Sequence, residues 1–206
     1  MYSRILILFA VLVGIVPICQ AKTIGELFVD EPGYVIPLLD KRVKMDMIDY
    51  QREGIGKVFN NALGSGSHIT SSSDSHISVQ VTESSSVDMM LIANKKDSVI
   101  VTISTVAMPA KDSRVECFNT KWEKVDEKKY FKAATMMDFI KIKKGDKTKK
   151  ESVLEAIEFP IIWYSPDMEA AKPTITAHHG LKEYMSKEDY EKISPYLVDE
   201  IKIRIK

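Results

Sequence analysis

An α+β fold is predicted by three features of the sequence. It is a curled, mostly antiparallel sheet with short helices near the N-terminus, in mid-chain and before the last strand. Residues 76–82 alternate apolar and polar side chains with period two, and the stretches that follow to residue 106 are rich in β-branched residues and broken by short polar connections. Two amphipathic stretches precede them, each behind an N-capping residue, Thr23 and Asp40. The chain closes on EIKIRIK, in which Ile201, Ile203 and Ile205 alternate with Lys202, Arg204 and Lys206.

The first 21 residues are not expected to belong to this fold. MYSRILILFAVLVGIVPICQA carries Arg4, an apolar run from Ile5 to Val16, then Pro17 and small residues. The run is too short for a stable transmembrane helix and fits a secretory signal peptide, with cleavage expected after Ala21. Lipidation at Cys19 is the lesser alternative, because Ile18 stands where that processing needs Gly, Ala or Ser. Residues 22–206 then form one α+β domain, or two lobes at about 22–125 and 126–206. No later segment is apolar for long enough to cross a membrane.

In the remaining chain, TIGELF places Ile24, Leu27 and Phe28 on one helical face. Pro32, Gly33 and Pro37 break that helix. A second helix, KRVKMDMIDYQRE, repeats Val43, Met47 and Tyr50 at helical spacing and stops at Gly54 in the left-handed conformation. GSGSHITSSSDS, residues 64–75, reads as a polar loop with a short strand at its centre. HISVQVTE and SVDMMLIAN follow as strands, then a turn at KKDS. The strand VIVTISTVAM puts Val99, Val101, Ile103 and Thr105 on one face, and SRVECFNT follows a turn at PAKD. The second half of KWEKVDEKKYFKAATMMDFI reads as a helix, KIKKGDKTKK as a solvated loop, VLEAIEFPIIWYSP as a buried strand and PTITAHH as another. Ser186 caps a last helix, SKEDYEKI, before the edge strand EIKIRIK, whose cations discourage further pairing.

Composition narrows the function classes. The 206 residues carry 29 basic and 29 acidic side chains. Removal of the leader takes one basic residue and no acid, leaving 28 against 29, or −1. A balanced surface gives no counterion-release argument for nucleic acid. The serine-rich loop completes neither the nucleotide nor the dinucleotide phosphate motif.

Few residues invite a chemical role. Cys117 would be the one cysteine left after cleavage. On a strand it shares a face with Val115, with Arg114, Glu116 and Phe118 opposite, which reads as a buried thiol. His178 and His179 are adjacent, so on a strand they point to opposite faces and cannot readily hold one ion. Asp74, Ser75 and His76 carry the letters of a triad, but triads are assembled from separated positions. His68 lies in the serine-rich loop. Asp46 and Asp49 are one helical turn apart and read as solvated. No catalytic, cofactor-binding or metal-binding residue is assigned.

Three stretches together resemble a family of exported proteins from Bacteroidales, domain of unknown function 3256. The first, ELFVDEPGYVIPLLDKRVKMDMIDYQREG, holds Pro37, Leu38 and Leu39, then Arg42, Asp46, Ile48 and Asp49, with the arginine one residue further from the Asp than the family pattern. The second is NNALGSGSHITSSSDSHISVQVTESSSVDMMLI. The third, DSVIVTISTVAMPAKDSRVECFNTKW, is similar to a Thr-Val-x-x-Pro turn followed by Asp-Ser-Arg, an alternating strand and a Trp. The likeness covers residues 24–122 well and the last third in outline. It implies export to the periplasm or cell envelope and an α+β domain, with no activity to carry over. The family's pattern has an apolar aromatic where Cys117 stands, which implies a core position. The expected function is therefore a non-catalytic envelope module with a binding or structural role, its partner an envelope protein or a small ligand. The alternatives are an envelope hydrolase using Cys117 or a histidine, and a carrier of a small apolar ligand.

Overall fold

The computed structural model describes residues 22–93, 98–142, 147–167, 170 and 172–206. The leader with Cys19, most of the KKDS turn and residues 143–146 of the lysine run lie outside the described residues.

Helix α1 (Ile24–Asp30) starts with a capping box. Thr23 Oγ1 accepts from the Glu26 amide at 3.3 Å and Glu26 Oε2 accepts from the Thr23 amide at 2.8 Å. Helix α2 (Lys41–Arg52) is capped by Asp40, whose Oδ1 accepts from the Val43 amide at 2.9 Å. It is followed by Gly54 at φ 70°, in the left-handed region that glycine tolerates without a Cβ clash. The two helices are tied by a fully buried ion pair. Lys44 Nζ donates to Glu31 Oε2 at 2.5 Å and to the Glu31 carbonyl at 2.9 Å, while Glu31 Oε1 accepts from the Val35 amide.

Seven strands follow in a sheet whose spatial order equals chain order. They are β1 (Phe59–Asn60), β2 (Gly66–Ser72), β3 (His76–Thr82), β4 (Ser85–Ala93), β5 (Ser98–Ala107), β6 (Lys111–Asn119) and β7 (Lys124–Val125), every neighbour antiparallel. A second, three-stranded sheet runs β10 (Glu200–Arg204), β9 (Thr174–His179), β8 (Ile162–Pro166). The fold is α+β and mostly antiparallel, without closure into a barrel.

The large sheet is covered on both faces. Ile77, Val79, Val87, Met89, Ile100 and Phe118 pack beneath Leu27, Phe28, Ile36 and Met47 from the α1–α2 region. Burying a side chain such as Leu27 or Phe28 contributes about 1.5–3 kcal/mol. On the other face Met90, Val101, Ile103 and Cys117 pack under the small sheet, against Tyr164, Ile175 and Ala177. This explains a departure from the expected one-sided pattern of β5. Val99, Val101 and Ile103 do share a face, yet Ile100 and Thr102 are buried as well, because the central strand has cover on both sides.

Other elements depart from expectation. The serine-rich stretch holds a seven-residue strand, β2, because β3 offers it a full ladder with a bulge between Ile69 and Ser71. The lysine run does not end as a loop. Residues 147–155 form helix α4 (Lys147–Glu155), anchored by buried Val153 and by Lys149, whose ammonium lies 4.5 Å from the Tyr196 ring centroid. Lysine is a good helix former once its repulsion is relieved by a packed neighbour. The strand expected over VLEAIEFPIIWYSP is therefore only Ile162–Pro166, its first residues being helical. The mid-chain helix is short, α3 (Met136–Phe139). An additional turn of helix, α5 (Leu181–Tyr184), precedes α6 (Lys187–Ile193), where Ser186 Oγ accepts from the Asp189 amide at 3.1 Å. In β10, Ile201 and Ile203 are only half-buried, as befits an edge strand.

Candidate functional site: a polar groove between the two sheets

The small sheet covers the large one unevenly. Strand β8 lies over β6 and β5 and reaches β4. Beyond its margin the same face continues on β4 and β3, where the side chains turn polar. Register determines which residues meet there. His76 pairs with Met90, Ser78 with Asp88, and Gln80 with Ser86. Ser86 in turn pairs with Thr105, and Thr105 with Ser113. Directly paired residues share a face, so this register lays a polar row beside the apolar floor that β8 covers.

The result is a cleft of about 390 Å³, floored by Gln80, Ser86, Asp88 and Thr105 and walled by Trp163 and Ser165 of β8. A shallower hollow of about 190 Å³ adjoins it, between His76 and Met90 on one side and Asp167 and Pro173 on the other. Pro166 and Asp167 are consecutive, so the two hollows are neighbours along the β8 margin, the larger of them being the groove.

Three side chains on this face, His76 and Asp88 at the two hollows and Ser78 between them, bear the residue types of a hydrolytic triad. Ser78 Oγ lies 3.1 Å from His76 Nε2, His76 Nε2 lies 3.4 Å from Asp88 Oδ1, and the Ser78 hydroxyl donates to Asp88 Oδ1. The connectivity is wrong for nucleophilic catalysis. A triad acid holds the ring nitrogen remote from the serine, freeing the near nitrogen to take the hydroxyl proton. Here carboxylate and hydroxyl both address Nε2. With its one hydroxyl proton directed to Asp88, Ser78 Oγ is left as an acceptor toward Nε2, and in the tautomer protonated there Nε2 cannot take the serine's proton. The chain His76 to Ser78 to Asp88 closes on itself and braces the hairpin.

On the groove wall, Trp163 is backed by its cross-strand partner His178. The rings are stacked at 4.0 Å between centroids and 15° between planes. The imidazole is pinned in turn, its Nε2 lying 3.1 Å from Ser165 Oγ. Burial holds His178 below the ordinary imidazole value, with the Lys111 charge adding to it and Glu200 opposing. The Lys111 ammonium lies 4.3 Å from the centroid of the same indole. At these distances it and the imidazole must take opposite faces.

The other residues singled out in the sequence do not converge here. Cys117 is fully buried, paired in register with Val101 and Val125. Burial, with the Glu127 carboxylate adding, pushes its thiol up to about 12. His179 faces the opposite way from His178, against the edge of Phe139, and burial lowers its pKa. Asp74 and Ser75 are exposed at the β2–β3 turn, where the Asp74 carbonyl accepts from the Ile24 amide, while His76 turns inward to Ser78 and Asp88. His68 is half-buried on β2 opposite Gln80. Asp46 and Asp49 are exposed on α2, with Asp49 3.7 Å from Arg52.

Among the described residues no group of three or more His, Cys, Asp or Glu side chains is placed to hold a metal ion. No helix of the described residues is long and apolar enough to cross a membrane. The space between the large sheet and α1–α2 is filled by Leu27, Phe28, Ile36 and Met47, each at most 2% exposed, and offers nothing to the apolar-carrier reading.

Ser78 and Asp88 were missed in the sequence, though a signal existed. Asp88 is an acid inside an apolar strand, and His76 and Ser78 share a face at i, i+2. Folding the chain about residue 83 as a hairpin puts Asp88 opposite Ser78.

Comparison with known proteins agrees on the fold. The chain is similar to the structure of a domain of an uncharacterized protein from Porphyromonas gingivalis W83, with a TM-score of 0.74 at 17% identity over 90% of this chain and 94% of that one. A search of the curated proteins gives no match. The model of the protein family of unknown function DUF3256 matches residues 17–204, and the chain therefore belongs to that family.

Proposed function

We propose that the protein is exported to the periplasm or cell envelope, loses its leader after Ala21, and acts there as a non-catalytic binding module whose ligand occupies the groove beside β8. The observation that carries this reading is the arrangement of Ser78, His76 and Asp88, in which the serine hydroxyl donates to Asp88 and both groups address the same ring nitrogen of His76, while the cleft beside them stays open. A thiol hydrolase is disfavoured by the burial of Cys117. Export rests on Arg4, the apolar run Ile5–Val16 and the small residues before Lys22.

Fractionation of the producing cells, with mass measurement of the purified chain, tests the first part. A chain beginning at Lys22 in the periplasmic or envelope fraction is expected, and a cytosolic chain retaining Met1 would overturn it. The second part is tested with p-nitrophenyl acetate and butyrate. No turnover above a Ser78→Ala variant is expected, whereas turnover abolished by that substitution would make the groove an active site.

A further inference from the structure

We infer that the groove, taken as the binding site proposed above, is built for a neutral, hydroxyl-rich ligand, a saccharide, laid against Trp163 and hydrogen-bonded by Gln80, Ser86 and Asp88.

The first reason is the aromatic wall. An indole whose rear face is stacked on a pinned imidazole cannot rotate freely, so its other face is presented in a fixed plane. That face carries only the Lys111 ammonium, on an exposed and flexible stem. A pyranose ring can displace such a cation from the indole and still accept a hydrogen bond from it. The apolar C–H face of a sugar suits a flat, half-buried aromatic surface, and its rim of hydroxyls suits polar groups at the edge.

The second reason is which polar groups remain unused. Gln80 spends both amide protons on the Thr82 and Ser85 carbonyls, at 2.6 and 3.1 Å, leaving Oε1 as an acceptor. Asp88 commits Oδ1 to Ser78 and His76, and its Oδ2 takes no hydrogen bond among the described residues. The Ser86 hydroxyl, on β4 opposite Gln80, likewise makes no hydrogen bond among the described residues and can both donate and accept. Gln80 and Ser86 are a cross-strand pair, about 5 Å apart. Ser86 and Asp88, two residues apart on one strand, are separated by about 7 Å. That is the footprint of a pyranose ring, read by two acceptors and one hydroxyl held on rigid strands.

The third reason is charge. Asp88 and Glu83 face Lys111 across the cleft, and Asp167 farther along is paired with Lys202 at 2.9 Å. Both signs line the cleft, two carboxylates and one ammonium, so a polyanion or a polycation meets like charge there and a neutral ligand does not. The volume of about 390 Å³ is at the small-ligand end of the usual range of about 300–1,000 Å³.

The test is titration of the full chain with maltohexaose, cellohexaose and N-acetylchitohexaose, followed by calorimetry and tryptophan emission. Trp122 is buried with its Nε1–H donating to the Leu27 carbonyl, so a ligand-dependent change reports on Trp163. At least one neutral oligosaccharide should bind saturably. Affinity should fall at least tenfold in both Trp163→Leu and Gln80→Ala, while Asp46→Asn, exposed on α2 away from the cleft, stays within about threefold. Ser86→Ala replaces either variant if its far-ultraviolet spectrum shows that it has not folded. Saturable binding unaffected by these substitutions would place the sugar elsewhere and overturn the inference. Binding of trilysine or trigalacturonate, with no neutral sugar bound, would sink the saccharide assignment and leave the groove as a binding site. Binding of none of these probes would sink both.

Discussion

The thiol of Cys117 provides a quantitative check on the packing between the two sheets. It has no exposed surface, and its neighbours in register are Val101 and Val125. Burial, with Glu127 adding, moves the thiol from the ordinary 9.0 to about 12. Alkylation proceeds through the thiolate, so a rise of that size lowers the reactive population by roughly a thousandfold near neutral pH. Steric exclusion acts on top of this, because reagent must wait for the small sheet to lift from β5 and β6. Labelling by iodoacetamide at about pH 8, located on Cys117 by peptide mass, should therefore be at least a thousandfold slower in the native chain than in urea. A native rate within tenfold of the unfolded one would refute the packing and restore Cys117 as a candidate nucleophile.

Two further outcomes follow from buried charge. Lys44→Ala strands the Glu31 carboxylate away from solvent and should cost about 3–5 kcal/mol in urea denaturation. The Lys44→Met, Glu31→Leu double variant should be more stable than the single one, and a double variant no better than the single would refute the ion-pair argument. His179 supplies a pH dependence. Its ring nitrogens are buried without hydrogen-bond partners among the described residues. Burial lowers its pKa, against the carboxylates of Asp199 and Glu183, with Tyr190 also at the ring. The unfolded imidazole takes up its proton first as pH falls below 6.5. The neutral ring's contribution is thus complete above that value and lost as pH falls toward the depressed folded value. The urea midpoint should drop between about pH 7.5 and pH 5, and His179→Phe should flatten the decline. An equal decline in the variant would assign the effect to other groups.

The strands and capped helices were legible because their signals are local. Thr23, Asp40, Gly54 and Ser186 each act within a few residues, and the alternation from His76 to Thr82 needs only the period of the pleat. The face of Cys117 followed from the same alternation. The second sheet was harder to read. The strand read over VLEAIEFPIIWYSP is present but only over Ile162–Pro166, because its first residues continue the lysine-rich helix, a boundary that no local signal marks. The uneven cover by β8, which creates the groove, depends on how two sheets slide over one another. No spacing in the chain encodes that directly. The Ser78–His76–Asp88 cluster was within reach through hairpin register, yet its connectivity, which decides between bracing and catalysis, needed coordinates.

The central claim is that this cluster braces a binding groove and does not activate a nucleophile. It is tested most directly by the ring nitrogen chemical shifts of His76 in the ¹⁵N-labelled chain. Nε2 should carry the proton, coupled through Ser78 to Asp88. An unprotonated Nε2 accepting from the Ser78 hydroxyl, with Nδ1 protonated, would contradict the account and make His76 a base.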